Sequence, residues 1–131
     1  MKIRIFFALV FFWCCSVYAQ STSAQYNDSS FGTYYQQRLT FFRGMKPVSH
    51  SVVFLGDSIT DGAEWSEIFG NKKMLNRGIS GDVTAGVLYR LDEVVRHNPK
   101  KVFILIGTND LARGVESEQV ISNIYRIADF I

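Results

Sequence analysis

Cysteine is nearly missing from this chain of 131 residues: there are two, Cys14 and Cys15, both within the first nineteen positions. Everything after them therefore has no disulfide and no thiolate metal site, whatever compartment the protein occupies. An excess of charge is missing too. The formal net charge of +2 comes from Lys2 and Arg4, and beyond them twelve basic residues face twelve acidic ones. A neutral domain gives no electrostatic case for nucleic acid or for an anionic membrane surface. Neither G-x-x-x-x-G-K-[ST] nor G-x-G-x-x-G follows any strand-like run, which counts against the common nucleotide-binding loops. The length suffices for one small domain.

What is present begins with one long apolar run, Ile5 to Val17, behind Lys2 and Arg4 and ahead of Val17-Tyr18-Ala19. Residues 1–19 read as a secretory signal cut after Ala19, with export to a periplasm or to the outside. The run is too short for a comfortable membrane span. Residues 20–32, rich in Ser, Gln and Asn, are expected to form a flexible entry segment. Residues 33–131 are the domain.

The domain is organised around Val52-Val53-Phe54-Leu55-Gly56-Asp57-Ser58-Ile59-Thr60. Four apolar residues, mostly β-branched or aromatic, predict a buried strand that runs into a tight Gly56 turn. Ser58 then falls where the chain leaves the sheet for a helix, a suitable place for a nucleophile. The plainer reading is that Asp57 and Ser58 only cap that helix.

Before this strand, Thr33 to Arg43 predicts a helix with Tyr35, Leu39 and Phe42 on one face, stopped by Gly44 and Pro47. His50 precedes the strand, and so is expected at the opposite sheet edge from Ser58. After the turn, Ala63 to Phe69 predicts a short helical piece with Ile68 and Phe69 inward. Asp61, Glu64 and Trp65 are candidates to line a pocket, Trp65 equally to pack in the core. Met74 to Arg77 predicts a second strand ending in Gly78-Ile79-Ser80-Gly81-Asp82. A long helix follows, with Val83, Val87, Leu88, Leu91, Val94 and Val95 as its stripe, Asp82 or Thr84 as its cap and Asn98-Pro99 as its end. His97 in its last turn is expected to be partly charged and to suit the helix dipole. Lys101 to Ile106 predicts a third strand of the kind buried on both faces, ending in Gly107-Thr108-Asn109-Asp110. A last helix from near Ser117 is expected to turn Val120, Ile121, Ile124, Ile127, Ala128 and Ile131 inward. It stops in mid-stripe, so the chain is expected to be truncated.

Strand–helix alternation with crossovers of this length predicts a three-layer α/β fold, a flavodoxin-like parallel sheet with visible order 2-1-3 and its carboxyl-terminal strands missing. All three glycine-containing turns then share one sheet edge. With the first strand central, the neighbours lie about 4.8 Å to either side, and Ser58 is flanked by Gly78 and Asn109. Acyl transfer requires such a layout: a hydroxyl to attack, and donors where negative charge develops on the carbonyl oxygen.

Gly56-Asp57-Ser58, Gly78 within Asn76-Arg77-Gly78-Ile79-Ser80-Gly81-Asp82, and Gly107-Thr108-Asn109-Asp110 resemble the first three sequence blocks of the SGNH hydrolases, also called GDSL esterases and lipases. The wording is closest to the platelet-activating-factor acetylhydrolase-like branch, which includes bacterial carbohydrate and sialate acetylesterases. The resemblance covers roughly residues 34 to 131. It implies Ser58 as nucleophile, with an oxyanion hole formed by the N–H groups of Ser58 and Gly78 and the side-chain amide of Asn109. Gly56, Asp57, Asp61, Gly107 and Asp110, with Asp82, read as turn and hydrogen-bond scaffolding. The implied substrate is a small acyl ester, acetyl by preference, of a carbohydrate or lipid-like alcohol; no metal or cofactor is expected.

The family's fourth block, Asp-x-x-His, has no counterpart here, so the general base and its carboxylate are not in the chain. Loss of a triad histidine costs on the order of 10⁶ in turnover where measured in a protease, leaving roughly 10³–10⁴ over water. The 131 residues alone are therefore expected to be nearly inert, and the apolar third strand to invite self-association. Two other readings compete: a catalytically dead fragment serving as a binding or structural module, and a flavodoxin-like nucleotide or phosphate binder. An α/β-hydrolase is disfavoured, because the serine is not in G-x-S-x-G.

Overall fold

The computed structural model of the protein describes residues 30–131. The signal segment expected at 1–19 and most of the entry segment lie outside the described residues. At the end of that segment Phe31 is already packed, stacking on Tyr35 at 4.4 Å and lying 5.3 Å from Tyr89 between ring centroids.

Three parallel strands, β1 (Val52–Gly56), β2 (Met74–Gly78) and β3 (Lys101–Leu105), form one sheet in the order β2-β1-β3. Gly56 pairs with Gly78 on one side and with Leu105 on the other, so the three strands end level. Around them lie α1 (Thr33–Gly44), α2 (Ser58–Asp61), α3 (Trp65–Ile68), α4 (Thr84–Tyr89), α5 (Leu91–Val95), α6 (Thr108–Ala112) and α7 (Ser117–Phe130). Side chains alternate across a strand, and β1 uses both faces. Val53 and Leu55 are fully buried with Val87, Leu91, Val94 and Ile127, which puts α4, α5 and α7 on that face. Phe54 points the other way, stacked on Trp65 at 3.9 Å and close to parallel. A second core of Tyr35, Leu39, Phe42 and Ile79 holds α1 against the loop that follows β2. Among the described residues no helix is long and apolar enough to cross a membrane.

Several expectations change. β3 is not buried on both faces: Phe103 is 54% and Leu105 51% exposed, because β3 is the sheet edge and Phe54 covers the Phe103 ring from one side only. Ile68 and Phe69 point outward, at 63% and 53% exposure. In α3 it is Trp65 that packs, so Trp65 is a platform on Phe54 and does not line the cavity described below. The long helix is broken at Arg90, whose φ of −117° and ψ of 16° end α4 and start α5. There the bonds Arg90 N–H to Val87 O and Glu93 N–H to Arg90 O skip three residues, not four. On α7 the buried stripe is Val120, Asn123 and Ile127, while Ile121, Ala128 and Ile131 are exposed.

His97 is the largest departure. It is fully buried, and its Nδ1 accepts the Val48 N–H at 2.9 Å. That leaves the proton on Nε2, which lies 3.0 Å from Glu93 Oε1 and 2.9 Å from Arg77 Nη2. Burial, reinforced by Arg77 and Arg96 against the opposing pull of Glu93, holds the imidazole below its ordinary value. The ring is neutral and serves packing, not the helix dipole.

Candidate active site

The site starts where β1 stops. A Cβ on Gly56 would stand 2.3 Å from Leu105 O and 2.4 Å from Thr60 Oγ1, so only glycine lets the chain turn there. Asp57 is buried and caps α2, its carboxylate accepting the Ile59 N–H at 3.1 Å. Ser58 is the first residue of this single-turn helix. It is exposed, and neither its hydroxyl nor its N–H has a hydrogen-bond partner among the described residues. The Trp65 indole N–H donates to Thr60 O at 2.9 Å, bracing the turn against the sheet.

The turn after β2 departs from the expected assignment. Gly78 is buried, and its N–H donates to Asn76 Oδ1 at 2.8 Å. A Cβ there would sit 2.1 Å from Asp61 N. Gly78 is thus the seat on which α2 rests, and its N–H is already committed. The Asn76 amide also donates to the carbonyls of Asp61 at 3.0 Å and Ala63 at 2.9 Å. Three residues on, Gly81 is exposed with φ of 79°, and its N–H has no partner among the described residues.

Both neighbouring turns fasten the loop that carries Gly81. From the β1 side, Asp61 Oδ2 accepts the Ser80 N–H at 3.1 Å and the Ser80 hydroxyl at 2.7 Å. From the β3 side, Asn109 Nδ2 donates to Asp82 O at 2.9 Å and Arg113 Nη2 to Gly81 O at 2.8 Å. Asn109 spends one of its two amide hydrogens in this way and keeps the second. Ser58, Gly81 and Asn109 are therefore brought to one edge, linked through Asp61, Ser80 and Asp82.

The remaining acidic residues are scaffolding by their contacts. Asp110 is buried and caps α4 from across the fold, taking the Thr84 N–H at 3.0 Å and the Thr84 hydroxyl at 2.6 Å. This replaces the expected Asp82 or Thr84 cap. Asn123 donates to the same hydroxyl oxygen at 2.9 Å. Gly107, φ 116°, starts the helix that holds both Asn109 and Asp110. Asp82 takes Arg90 Nε at 3.0 Å and Nη2 at 2.8 Å, with both side chains fully buried. Burial pushes the Asp82 carboxyl up and Arg90 pulls it back. Arg90 Nη2 also reaches Arg77 O at 2.9 Å and Gly56 O at 3.3 Å, so one cation ties two strand ends to the loop.

Four contributors went unread in the sequence: Gly81, Asn76, Arg90 and Arg113. Asn76 carried a usable signal, a polar residue within a short strand; Arg90, between two stripe residues, carried none. Beside Gly81 lies a cavity of about 200 Å³ lined by Phe31, Tyr34, Tyr35, Ser80 and Arg113, among others. Neither histidine reaches this edge. His50 is exposed ahead of β1 and its N–H donates to Asn98 O at 3.1 Å, while His97 is buried beside Val48. No group of three His, Cys, Asp or Glu among the described residues is arranged to hold a metal ion.

The model of the GDSL-like Lipase/Acylhydrolase family matches residues 54–131. The platelet-activating factor acetylhydrolase IB subunit alpha1 of Homo sapiens is 36% identical over 97 residues, covering 70% of this chain and 41% of that protein. The alpha2 subunit of Homo sapiens is 33% identical over 94 residues, 62% of this chain and 41% of that one. A solved Streptococcus pneumonia protein, named for platelet activating factor, superposes with a TM-score of 0.61 at 32% identity, covering 73% of this chain and 47% of that one. A Bacteroides fragilis protein named an acylhydrolase gives 0.59 at 25%, over 80% and 53%. This chain thus spans about two fifths of the length of the curated relatives it matches. By sequence and by sheet topology, it belongs to the GDSL-like lipase/acylhydrolase family.

Proposed function

We propose that the protein is an exported serine esterase in which Ser58 is the nucleophile. The observation that carries the reading is the Ser80–Asp82 loop, bonded to α2 on one side and to Asn109 on the other. It supports an oxyanion hole made of the Ser58 N–H, the Gly81 N–H and the free amide hydrogen of Asn109, with Gly81 in place of the expected Gly78. Ser58 Oγ attacks the acyl carbonyl carbon, the three donors take the negative charge, and the alcohol leaves with a proton. Water then attacks the acyl-serine and releases the acid. Each oxyanion donor is worth about 10²–10³ in kcat.

Neither His50 nor His97 reaches Ser58, so no described residue is the proton acceptor in this proposal. The 131 residues by themselves are then nearly inert. The substrate is a small acyl ester, acetyl by analogy with the relatives named for acetylhydrolase activity, with the alcohol part directed to the aromatic cavity beside Gly81. The test is hydrolysis of p-nitrophenyl acetate by the full-length protein and its Ser58→Ala variant. Turnover should fall by about 10⁶, as when the nucleophile of a serine protease is removed; a variant keeping a tenth of the activity overturns the assignment.

A further inference from the structure

We propose that Asp61 is a positioning residue that sets the orientation of the Gly81 N–H, and that helix α1 holds it there through Tyr34 and Arg38. The inference rests on the reading of Gly81 as an oxyanion donor and goes beyond it. The Asp61 carboxylate is filled on all sides. Oδ2 accepts from Tyr34 OH at 2.7 Å, from the Ser80 hydroxyl at 2.7 Å and from the Ser80 N–H at 3.1 Å. Oδ1 pairs with Arg38 Nη2 at 3.0 Å. Its main chain is fixed as well, with N packed under Gly78 and O accepting from Asn76.

Asp61 stands three residues after Ser58 on the same turn of helix. The carboxylate therefore measures the separation between the nucleophile's helix and the loop after β2. The Gly81 N–H lies between two pins: Ser80, held twice by Asp61, and Gly81 O, held by Arg113. Releasing the first pin lets the Ser80–Gly81 peptide rotate, while Ser58 and Asn109 stay where they are. Tyr34 and Arg38 lie outside the residues matched by the family model, on a helix that packs against the loop after β2 through Tyr35, Leu39, Phe42 and Ile79. Burial pushes the Asp61 carboxyl up, but Tyr34, Ser80 and Arg38 outweigh it and hold the group below the usual carboxylate range. The Tyr34 phenol is pushed up chiefly by its bond to Asp61, and stays a donor.

The experiment uses the full-length protein with Asp61→Asn, Arg38→Met, Tyr34→Phe and Ser58→Ala. It reads kcat and KM on p-nitrophenyl acetate, affinity for a boronic acid that forms a tetrahedral adduct on serine, and the melting temperature. Asparagine keeps one acceptor oxygen and cannot serve Ser80, Tyr34 and Arg38 together. A misplacement of about 1 Å is worth about 10²-fold, so Asp61→Asn should lower kcat by about 10–100-fold. KM should change less than about threefold, and boronate affinity should fall in step with kcat. Tyr34→Phe removes one exposed hydroxyl, and should lower kcat by about three- to tenfold with the melt unchanged. A dead Ser58→Ala with unimpaired Asp61→Asn or Tyr34→Phe overturns the clamp alone. An active Ser58→Ala overturns the site reading beneath it. If Asp61→Asn fails to fold, the kcat of Tyr34→Phe decides.

Discussion

Replacing Arg90 by methionine removes a buried cation that reaches both strand ends and the loop above them. The guanidinium gives Asp82 two charge-assisted bonds, at 3.0 and 2.8 Å, with both side chains fully buried. Without it the Asp82 carboxylate is left in the interior with the Val83 N–H as its remaining donor, at 2.9 Å. Gly56 O keeps the Ile79 N–H at 3.0 Å, so that carbonyl is not stranded. Breaking one side of a buried pair costs about 3–5 kcal/mol, against a total of about 5–15 kcal/mol for a typical domain. Arg90→Met should therefore remove about a fifth or more of the stability, read as the urea midpoint of the full-length protein. The companion variant, Asp82→Asn with Arg90→Met, removes both charges. Buried pairs replaced as a pair lose little, so the double variant should be more stable than Arg90→Met alone, with a coupling of about 2 kcal/mol or more. A single-variant loss under about 1 kcal/mol, or a double variant equal to the sum of the singles, refutes the account. The unpartnered Nη1 of Arg90 works against the pair and argues for the lower end of the range.

His97 makes stability fall with acid. Its folded value is depressed, so the unfolded chain takes up the proton first; the contribution is complete above about pH 6.5 and is lost as pH falls through the folded value. The limit is about 1.4 kcal/mol per pH unit, and urea midpoints at pH 7.5, 6.5 and 5.5 should fall more steeply for the wild type than for His97→Gln; parallel slopes refute this. The two glycines of the second turn should separate in their effects. Gly78→Ala drives a Cβ to 2.1 Å from Asp61 N and 2.6 Å from Thr60 C, whereas Gly81→Ala meets nothing nearer than Arg113 Nη2 at 3.7 Å and suffers only its φ of 79°, about 1–2 kcal/mol. Melting should therefore drop further for Gly78→Ala, and an equal or smaller drop rejects its role as the seat of α2.

The legible parts of the fold were those decided within a few residues. Val52–Leu55 is a short apolar stretch and Met74–Arg77 a short mixed one, each closed by glycine, and both are strands. Tyr35, Leu39 and Phe42 fall on one buried face, as their spacing required. Most of what escaped was decided by residues distant in the chain. The exception is local: Asn76 takes the N–H of Gly78 two residues on, and that bond moves the candidate donor from Gly78 to Gly81. Nothing local says that Val48 and Arg77 enclose His97 and make it a neutral core residue. Ile68, Phe69 and Ile121 read as inward because periodicity marks a helix face without saying whether anything covers it.

The polar residues at the strand ends show why the candidate site was only half visible. Each works on a turn other than its own: Asp61 on Ser80, Asn109 on Asp82, and Asp110 on Thr84. Within its own turn each looks like an ordinary cap. Asp57 does act as one, bonding the Ile59 N–H, and Asp82 takes the N–H of its neighbour Val83 besides pairing with Arg90. Reciprocal fastening of this kind makes the three turns one rigid edge, which a hydroxyl with no partner of its own requires if it is to meet a carbonyl at a fixed angle. The rigidity is carried by polar bonds between the turns, of which the Asp110–Thr84 bonds are buried and the Asp61–Ser80 bonds exposed, so it should be the first thing lost when either carboxylate is removed.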